Sequence, residues 1–288
     1  MRPACGIFKK TMNEQLEKKI QQAIRLIKMA VADVDVVEVA YSGGKDSDVI
    51  LQLTKEAGIN YRAIYKNTTI DPPGTLKHVK EMGVEVVMPK ENFFQLVERI
   101  GYPNRFKRFC CSYLKEYKIL DKVIMGVRRE ESTKRAERYK EPTECRFYGS
   151  KKEHVEAFYP ILDWTNEDVV DFINDRNIII HPLYYREDGT IDPARRVGCM
   201  CCPLASRNKR IEQFKQYPNM VRAYIRAGQR FLDTHKEKQI GHKCDAFTWF
   251  TREIFFERQE QWNAHNNGLF DDNVDYKSFL EDYFNVKL

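Results

Sequence analysis

The chain has 288 residues, 42% of them hydrophobic and 31% charged, with a mean hydropathy of −0.60 and a net charge of +6. These values exclude a disordered or fibrous chain and fit one large globular domain or one domain with an appended subdomain. No run of about 18 apolar residues is present and the N-terminus has no apolar core segment, so neither a membrane partner nor a secretory leader is expected, and the expected location is cytoplasmic.

In chain order, residues 13–32 place Leu16, Ile20, Ala23, Ile24, Ile27 and Ala30 on one face and predict an amphipathic helix. VDVVEVAYS (34–42) is rich in β-branched residues and predicts a buried strand. A glycine turn follows, then a helix from about Asp46 to Ala57 that Gly58 ends. INYRAIYK, VEVVMP and the DKVIMGVR segment near residue 124 predict three more strands, with a helix over 75–82. TNEDVVDFINDRN opens with a capping box, Thr165 with Asp168, and predicts another helix. Strands alternating with helices imply an α/β fold with a doubly wound parallel sheet, followed by a mostly helical C-terminal region. The expected boundaries are 1–33 for an N-terminal helix, 34–204 for a nucleotide-binding domain and 205–288 for the helical region.

YSGGKDSD lies between a predicted strand and a predicted helix. Gly43 and Gly44 let the backbone bend and approach a ligand, and the helix start turns N–H groups and a positive dipole end toward it. Ser42 and Ser47 add hydroxyl donors, and Lys45 adds a mobile positive charge. Asp46, an acid beside a phosphate cradle, suggests magnesium coordination or loop positioning. The spacing is not that of a Walker A loop.

SGGKDS resembles the PP-loop of the N-type ATP pyrophosphatases, which split ATP between the α- and β-phosphates. Within that superfamily of adenine nucleotide alpha-hydrolase-like folds, the chain resembles the phosphoadenosine phosphosulfate reductase family. KNTTIDPP, FCCSYLK, GVRREES, YPILDWTNEDV, HPLYYR and RVGCMCCPL follow in the family's order across roughly residues 36–205. The resemblance implies ATP with Mg2+ as bound nucleotide, catalytic Lys45, Asp46 and Arg128, and a nucleotide site of Ser42, Gly43, Gly44, Lys45, Asp46, Ser47, Asp71, Gly126 and Arg128. Arg128 follows a predicted strand end, where its planar fork suits a phosphate or sulfate.

In a compartment that keeps thiols reduced, the eight cysteines are better read as metal ligands or reactive thiols than as disulfides. Cys110 and Cys111 are adjacent, and Cys199 and Cys202 form a CxxC, so the two pairs supply four soft ligands for zinc or an iron–sulfur cluster. Adjacent cysteines diverge, which disfavours a single small zinc ion and favours a [4Fe–4S] cluster. The resemblance points the same way, toward adenylylsulfate reductases and DNA-phosphorothioation sulfurtransferases, with Zn2+ as the alternative. Cys201 is surplus to the quartet.

Three activities fit these motifs. A sulfonucleotide reductase needs a cysteine in a C-terminal tail, which this chain lacks after Cys244, and its family members usually alter the loop lysine that is present here. A nucleotide-sensing module with a structural metal site is the second. An ATP-dependent, adenylating iron–sulfur sulfurtransferase fits best, with a cysteine desulfurase as sulfur donor and a nucleic acid as a candidate acceptor. Arg207, Lys209, Arg210, Arg222, Arg226 and Arg230 are the basic residues that would meet such an acceptor.

Overall fold

The computed structural model describes residues 5–148, 153–256, 261 and 274–288. It divides into two units. One comprises Met1–Asn67, Asp71–Met88 and Leu114–Gly198; the other comprises Thr68–Ile70, Pro89–Tyr113 and Cys199–Leu288. From the sequence, residues 34–204 are expected to form one nucleotide-binding domain that includes the cysteine cluster. In the structure the second unit takes its residues from three separate stretches, and the N-terminal helix is packed into the first.

The first unit contains α1 (Cys5–Met29), β1 (Val37–Tyr41), α2 (Lys45–Ala57), β2 (Tyr61–Lys66), α3 (Thr75–Glu81), β3 (Glu85–Val87), β4 (Lys122–Met125), α6 (Thr133–Arg138), β5 (Thr143–Tyr148), β6 (Glu153–Phe158) and α7 (Asn166–Asp175). The strand order is β3-β2-β1-β4-β6-β5. Every pairing is parallel except β5 against β6. The expected α/β fold with a parallel sheet is present, with one antiparallel edge where β5 and β6 follow each other closely enough to pair without a crossover.

β1 is central, and its alternate side chains face two environments. Val37 and Val39 join Ile20, Ile27, Val49, Leu53, Ile124, Phe158, Val169 and Phe172 in one core beneath α1, α2 and α7. The periodic apolar stripe predicted for α1 is thus the surface it buries. Glu38 and Ala40 point to the opposite face. The chain runs outward from β1 to β3, then returns to β4 on the other side of β1. The gap between the carboxyl ends of β1 and β4 is therefore the point of topological reversal, where open α/β sheets bind ligands.

The second unit is helical: α4 (Phe93–Ile100), α5 (Phe109–Leu114), α8 (Arg207–Gln216), α9 (Pro218–Thr234), α10 (Ala246–Phe255) and α11 (Tyr276–Phe284). Its interior is aromatic. Phe214 meets Tyr224 and Phe250 edge-on with ring centroids 5.2 Å apart in both pairs, a favoured quadrupole geometry. Among the described residues no helix is long and apolar enough to cross a membrane.

Candidate functional site

The turn between β1 and α2 is built by Gly43 and Gly44. Gly43 has φ +75°, and a Cβ there would lie 2.9 Å from the Thr75 methyl, so backbone conformation and space both require glycine. Gly44 caps α2, and its carbonyl accepts from the Ser47 N–H at 2.8 Å and the Ser47 hydroxyl at 2.6 Å. Ser42 Oγ lies 3.3 Å from Ser47 Oγ. The loop is thus closed on itself by hydroxyls on both sides of the glycines.

Asp46 sits between two buried cations. Lys45 Nζ lies 3.1 Å from its Oδ2, and Arg128 Nε donates to its Oδ1 at 2.7 Å. Each of these cations is only 1% exposed. The Arg128 guanidinium also donates to the Trp164 carbonyl at 3.2 Å and to Asn166 Oδ1 at 3.0 Å. A Cβ on Gly126 would lie 2.8 Å from the Asp46 carbonyl oxygen, so the β4 end can pack onto the start of α2 only with glycine there.

Beside this clamp lies a cavity of about 330 Å3. Of the expected nucleotide residues, Ser42, Gly44, Asp46, Ser47, Asp71 and Gly126 line it; Gly43, Lys45 and Arg128 do not. Lys45 and Arg128 face Asp46 in this structure. Lys45 is not a mobile charge: its ammonium is fixed against Asp46 and lies 5.4 Å from the centre of the Tyr184 ring. Arg128 does not present its fork to the cavity, because Asp46, Trp164 and Asn166 take its N–H groups; it holds the loop acid instead.

Other cations border the cavity. Lys66, Lys115, Arg135 and Arg196 line it. Lys66 pairs with the buried Glu38 at 3.0 Å, and Glu131 binds both Arg135 and Arg196, the latter at 2.7 Å. Tyr65 donates to Asp71 at 2.5 Å. Glu38, Lys66, Tyr184 and Arg196 escaped the sequence reading, although the last three lie in motifs it quoted. Glu38 carries the one usable signal, an acid inside an otherwise apolar strand.

Beneath the loop is a buried polar network that the sequence reading also missed. Asp48, fully buried, meets His78 Nε2 at 3.0 Å and accepts from the Tyr41 hydroxyl. Burial pushes the Asp48 carboxyl above its usual range, against the pull of His78 and Tyr41. His181 donates or accepts at Thr75 Oγ1, 3.4 Å away; burial first, then the neighbouring His78, holds its pKa down. Burial likewise pushes the Tyr184 hydroxyl up to about 12.

The four expected metal ligands all belong to the second unit. Cys110 and Cys111 open α5, and Cys199 and Cys202 flank a turn in which Cys201 has φ +53°. The Cys110 thiol is held well above the ordinary thiol range. The largest cause is its hydrogen bond with Cys111, followed by burial and by the charges of Cys111, Cys199 and Cys202. The four sulfurs therefore share one electrostatic neighbourhood. Among the described residues no three His, Cys, Asp or Glu side chains converge on a metal position, and Cys199 Sγ is 3.6 Å from Thr68 Oγ1. The donor set, four reduced thiols and no hard oxygen ligand, fits a soft metal or iron–sulfur group. Cys201 is buried, and its backbone N–H donates to Gln213 Oε1 at 2.8 Å, which fits a packing role.

A family model described as the phosphoadenosine phosphosulfate reductase domain matches residues 37–205. An uncharacterized protein of Methanocaldococcus jannaschii is 29% identical over 76% of this chain and 54% of its own length. Sulfate adenylyltransferase subunit 2 of Methylorubrum extorquens is 25% identical over 64% of this chain and 70% of its own. A tRNA-cytidine(32) 2-sulfurtransferase of Hahella chejuensis is 24% identical over 78% of this chain and 83% of its own. The chain thus spans about half the length of the archaeal relative and larger shares of the two enzymes.

Proposed function

The chain belongs to the phosphoadenosine phosphosulfate reductase domain family, and from that premise we propose that it is an ATP-dependent sulfurtransferase that adenylates an acceptor oxygen with release of pyrophosphate. The observation that carries this reading is the intact SGGKDS loop, with Lys45 and Arg128 fixed on Asp46, bordering a cavity lined by further cations. Ligand sites of small nucleotides are typically about 300–1,000 Å3, so the cavity is of the right order for one.

The chemistry proceeds in two steps. The acceptor oxygen attacks the ATP α-phosphorus; the bond to the β-phosphate breaks and pyrophosphate leaves. A sulfur at the sulfide level then displaces AMP from the acceptor. Loop N–H groups and the α2 N-terminus stabilise negative charge on the phosphates. Lys66, Lys115, Arg135 and Arg196 line the cavity together with Glu38, Asp46, Asp71 and Glu131, and are the groups that would meet phosphate oxygens. Asp46, exposed to the cavity through a fraction of its surface, is the residue that would meet Mg2+. Lys45 and Arg128 act through Asp46 and hold the loop in shape.

Cys110, Cys111, Cys199 and Cys202 would hold a [4Fe–4S] group, which when bound supplies a site for the sulfur to be transferred. The relatives that are a tRNA sulfurtransferase and a sulfate adenylyltransferase subunit support nucleotide chemistry coupled to sulfur. Sulfonucleotide reduction is the second reading. It is favoured by the family model and disfavoured by the complete SGGKDS loop, which resembles that of enzymes that split ATP.

Anaerobically purified protein incubated with magnesium, α-labelled ATP, sulfide and a nucleic-acid acceptor tests the proposal. Labelled AMP and equimolar pyrophosphate are expected, with AMP formation lowered at least ten-fold in Lys45→Ala. Absence of AMP, with tight binding of a sulfonucleotide instead, would return the protein to the reductases.

A further inference from the structure

The second unit carries a second cavity, of about 580 Å3. Arg105, Arg207, Arg210, Lys243 and Arg252 line it against a single carboxylate, Glu253. Those arginines are only partly satisfied. Arg207 donates to the Phe255 carbonyl at 3.0 Å, and Arg210 reaches the Glu253 carbonyl at 3.3 Å. The Nε atoms of Arg210 and Arg252 are buried and meet no acceptor among the described residues. A buried guanidinium N–H without an acceptor is costly, so these arginines are held at the cleft at some expense in stability. His242, also in the wall, has its pKa held down by burial first and then by the positive charges of Arg252 and Lys243.

The rim adds an aromatic group. Asn104 Oδ1 accepts from the backbone N–H groups of Phe106 at 3.0 Å and Lys107 at 2.8 Å, and the Asn104 N–H donates back to the Lys107 carbonyl at 3.2 Å. This closed turn holds Phe106 97% exposed. The turn leaves a large apolar ring in water with no apolar neighbour to cover it, flanked by Arg105, Lys107 and Arg108. Those three are exposed, and none is in an ion pair with a carboxylate among the described residues.

We propose that this cleft binds an unpaired RNA strand, the guanidinium groups taking its phosphates and Phe106 stacking on a base, so that the acceptor of the sulfurtransferase is RNA. The inference rests on the reading of the protein as a sulfurtransferase. Planar guanidinium forks match phosphate oxygens, and aromatic rings interleaved with basic residues are the usual platform for single strands. A concave cleft of this size takes one or two splayed nucleotides and not the convex face of a duplex. Unpaired, unstacked bases are the ordinary state of RNA loops, whereas duplex DNA must be opened first. Pro203, next in the chain to Cys202, lines the same cleft.

The test is fluorescence anisotropy of the full-length, anaerobically purified protein with a labelled single-stranded RNA of about 12 nucleotides, without ATP, across a salt series. Binding is expected that weakens steeply with salt. Phe106→Ala is expected to weaken it about ten-fold with the salt slope unchanged. Arg105→Ala/Lys107→Ala/Arg108→Ala is expected to lower the slope by about two, since each lost phosphate contact removes roughly 0.7. Both variants lie on the exposed turn and are expected to melt with the wild type. No RNA binding by the wild type, binding unaltered in both variants, or tighter binding of a duplex DNA of the same sequence would overturn the proposal. Because no ATP is present, the outcome is independent of AMP formation. A protein that makes AMP and ignores RNA refutes only the RNA cleft, and one that binds RNA and makes no AMP refutes the sulfurtransferase reading.

Discussion

At the scale of single residues, Asp46 is the centre of the site. It is an acid at the start of a helix, where the dipole favours it, and it neutralises two cations that are otherwise shut away from water. Asp46→Asn leaves Lys45 and Arg128 without their counter-charge, and breaking a buried pair from one side costs about 3 kcal/mol. Urea unfolding is expected to show a loss of that order together with loss of ATP cleavage; a variant as stable as the wild type would contradict the clamp. Gly43→Ala is expected to weaken ATP binding at least ten-fold, because its φ of +75° and the Thr75 methyl both exclude a Cβ; isothermal titration with a non-hydrolysable ATP analogue measures it. Ser42, Gly44 and Ser47, which line the cavity, were legible in the sequence because backbone geometry and hydroxyl chemistry are local; Asp71 lines it too but was named only through the family resemblance. The sequence could not show that Arg128 turns away from the cavity. That depends on Trp164 and Asn166, nearly forty positions on, which no local pattern connects to it.

At the scale of elements, α7 is the piece whose sequence signal and structure agree most fully. Thr165 accepts from the Asp168 N–H at 3.1 Å and Asp168 accepts from the Thr165 N–H at 2.7 Å, a reciprocal capping box. Burial alone would raise the Asp168 carboxyl, but the Lys19 ammonium and the Thr165 N–H and hydroxyl together hold it below its usual value. A lowered folded value means stability that is present at neutral pH and lost as pH falls through that value. Asp168→Ala is therefore expected to cost about 1 kcal/mol at pH 7, a difference that shrinks as pH falls through the lowered value; denaturation at neutral and at acid pH checks the sign. In α9 the signal was invisible. A Cβ on Gly228 would lie 2.1 Å from the Tyr102 hydroxyl, which donates to the Tyr224 carbonyl at 2.9 Å. Gly228→Ala is expected to destabilise the protein by about 3 kcal/mol through overpacking and a lost buried hydrogen bond. From sequence alone a glycine inside a helix reads only as a weak point, since its partner is more than a hundred residues away. The β5–β6 pair is hard to see in the sequence for a related reason: charged and polar residues interrupt both strands, of which only β5 lies at the sheet edge.

At the scale of the whole molecule, the chain divides its chemistry between two units. The phosphate loop and its cavity belong to the sheet, and the four candidate ligand cysteines belong to the helical unit, which gathers FCCSYLK and GCMCCPL from distant stretches. The sequence motifs place all four cysteines inside the expected nucleotide-binding domain of residues 34–204, whereas the structure gathers them in the helical unit. The discontinuous boundary was not foreseeable, since residues 89–113 lie in sequence between two strands of the sheet unit. Cys110→Ser is expected to lose most bound iron from anaerobically purified protein, and Lys45→Ala to retain it; iron assay and the visible absorption of the cluster measure both. The most direct test of the central claim is transfer itself. Protein reconstituted without air would be given ATP, radiolabelled sulfide and RNA, and label in the RNA counted against AMP formed. The account predicts label that requires ATP and appears one-for-one with AMP, and that is absent with Lys45→Ala. AMP without label, or label that forms equally well without ATP, would contradict it.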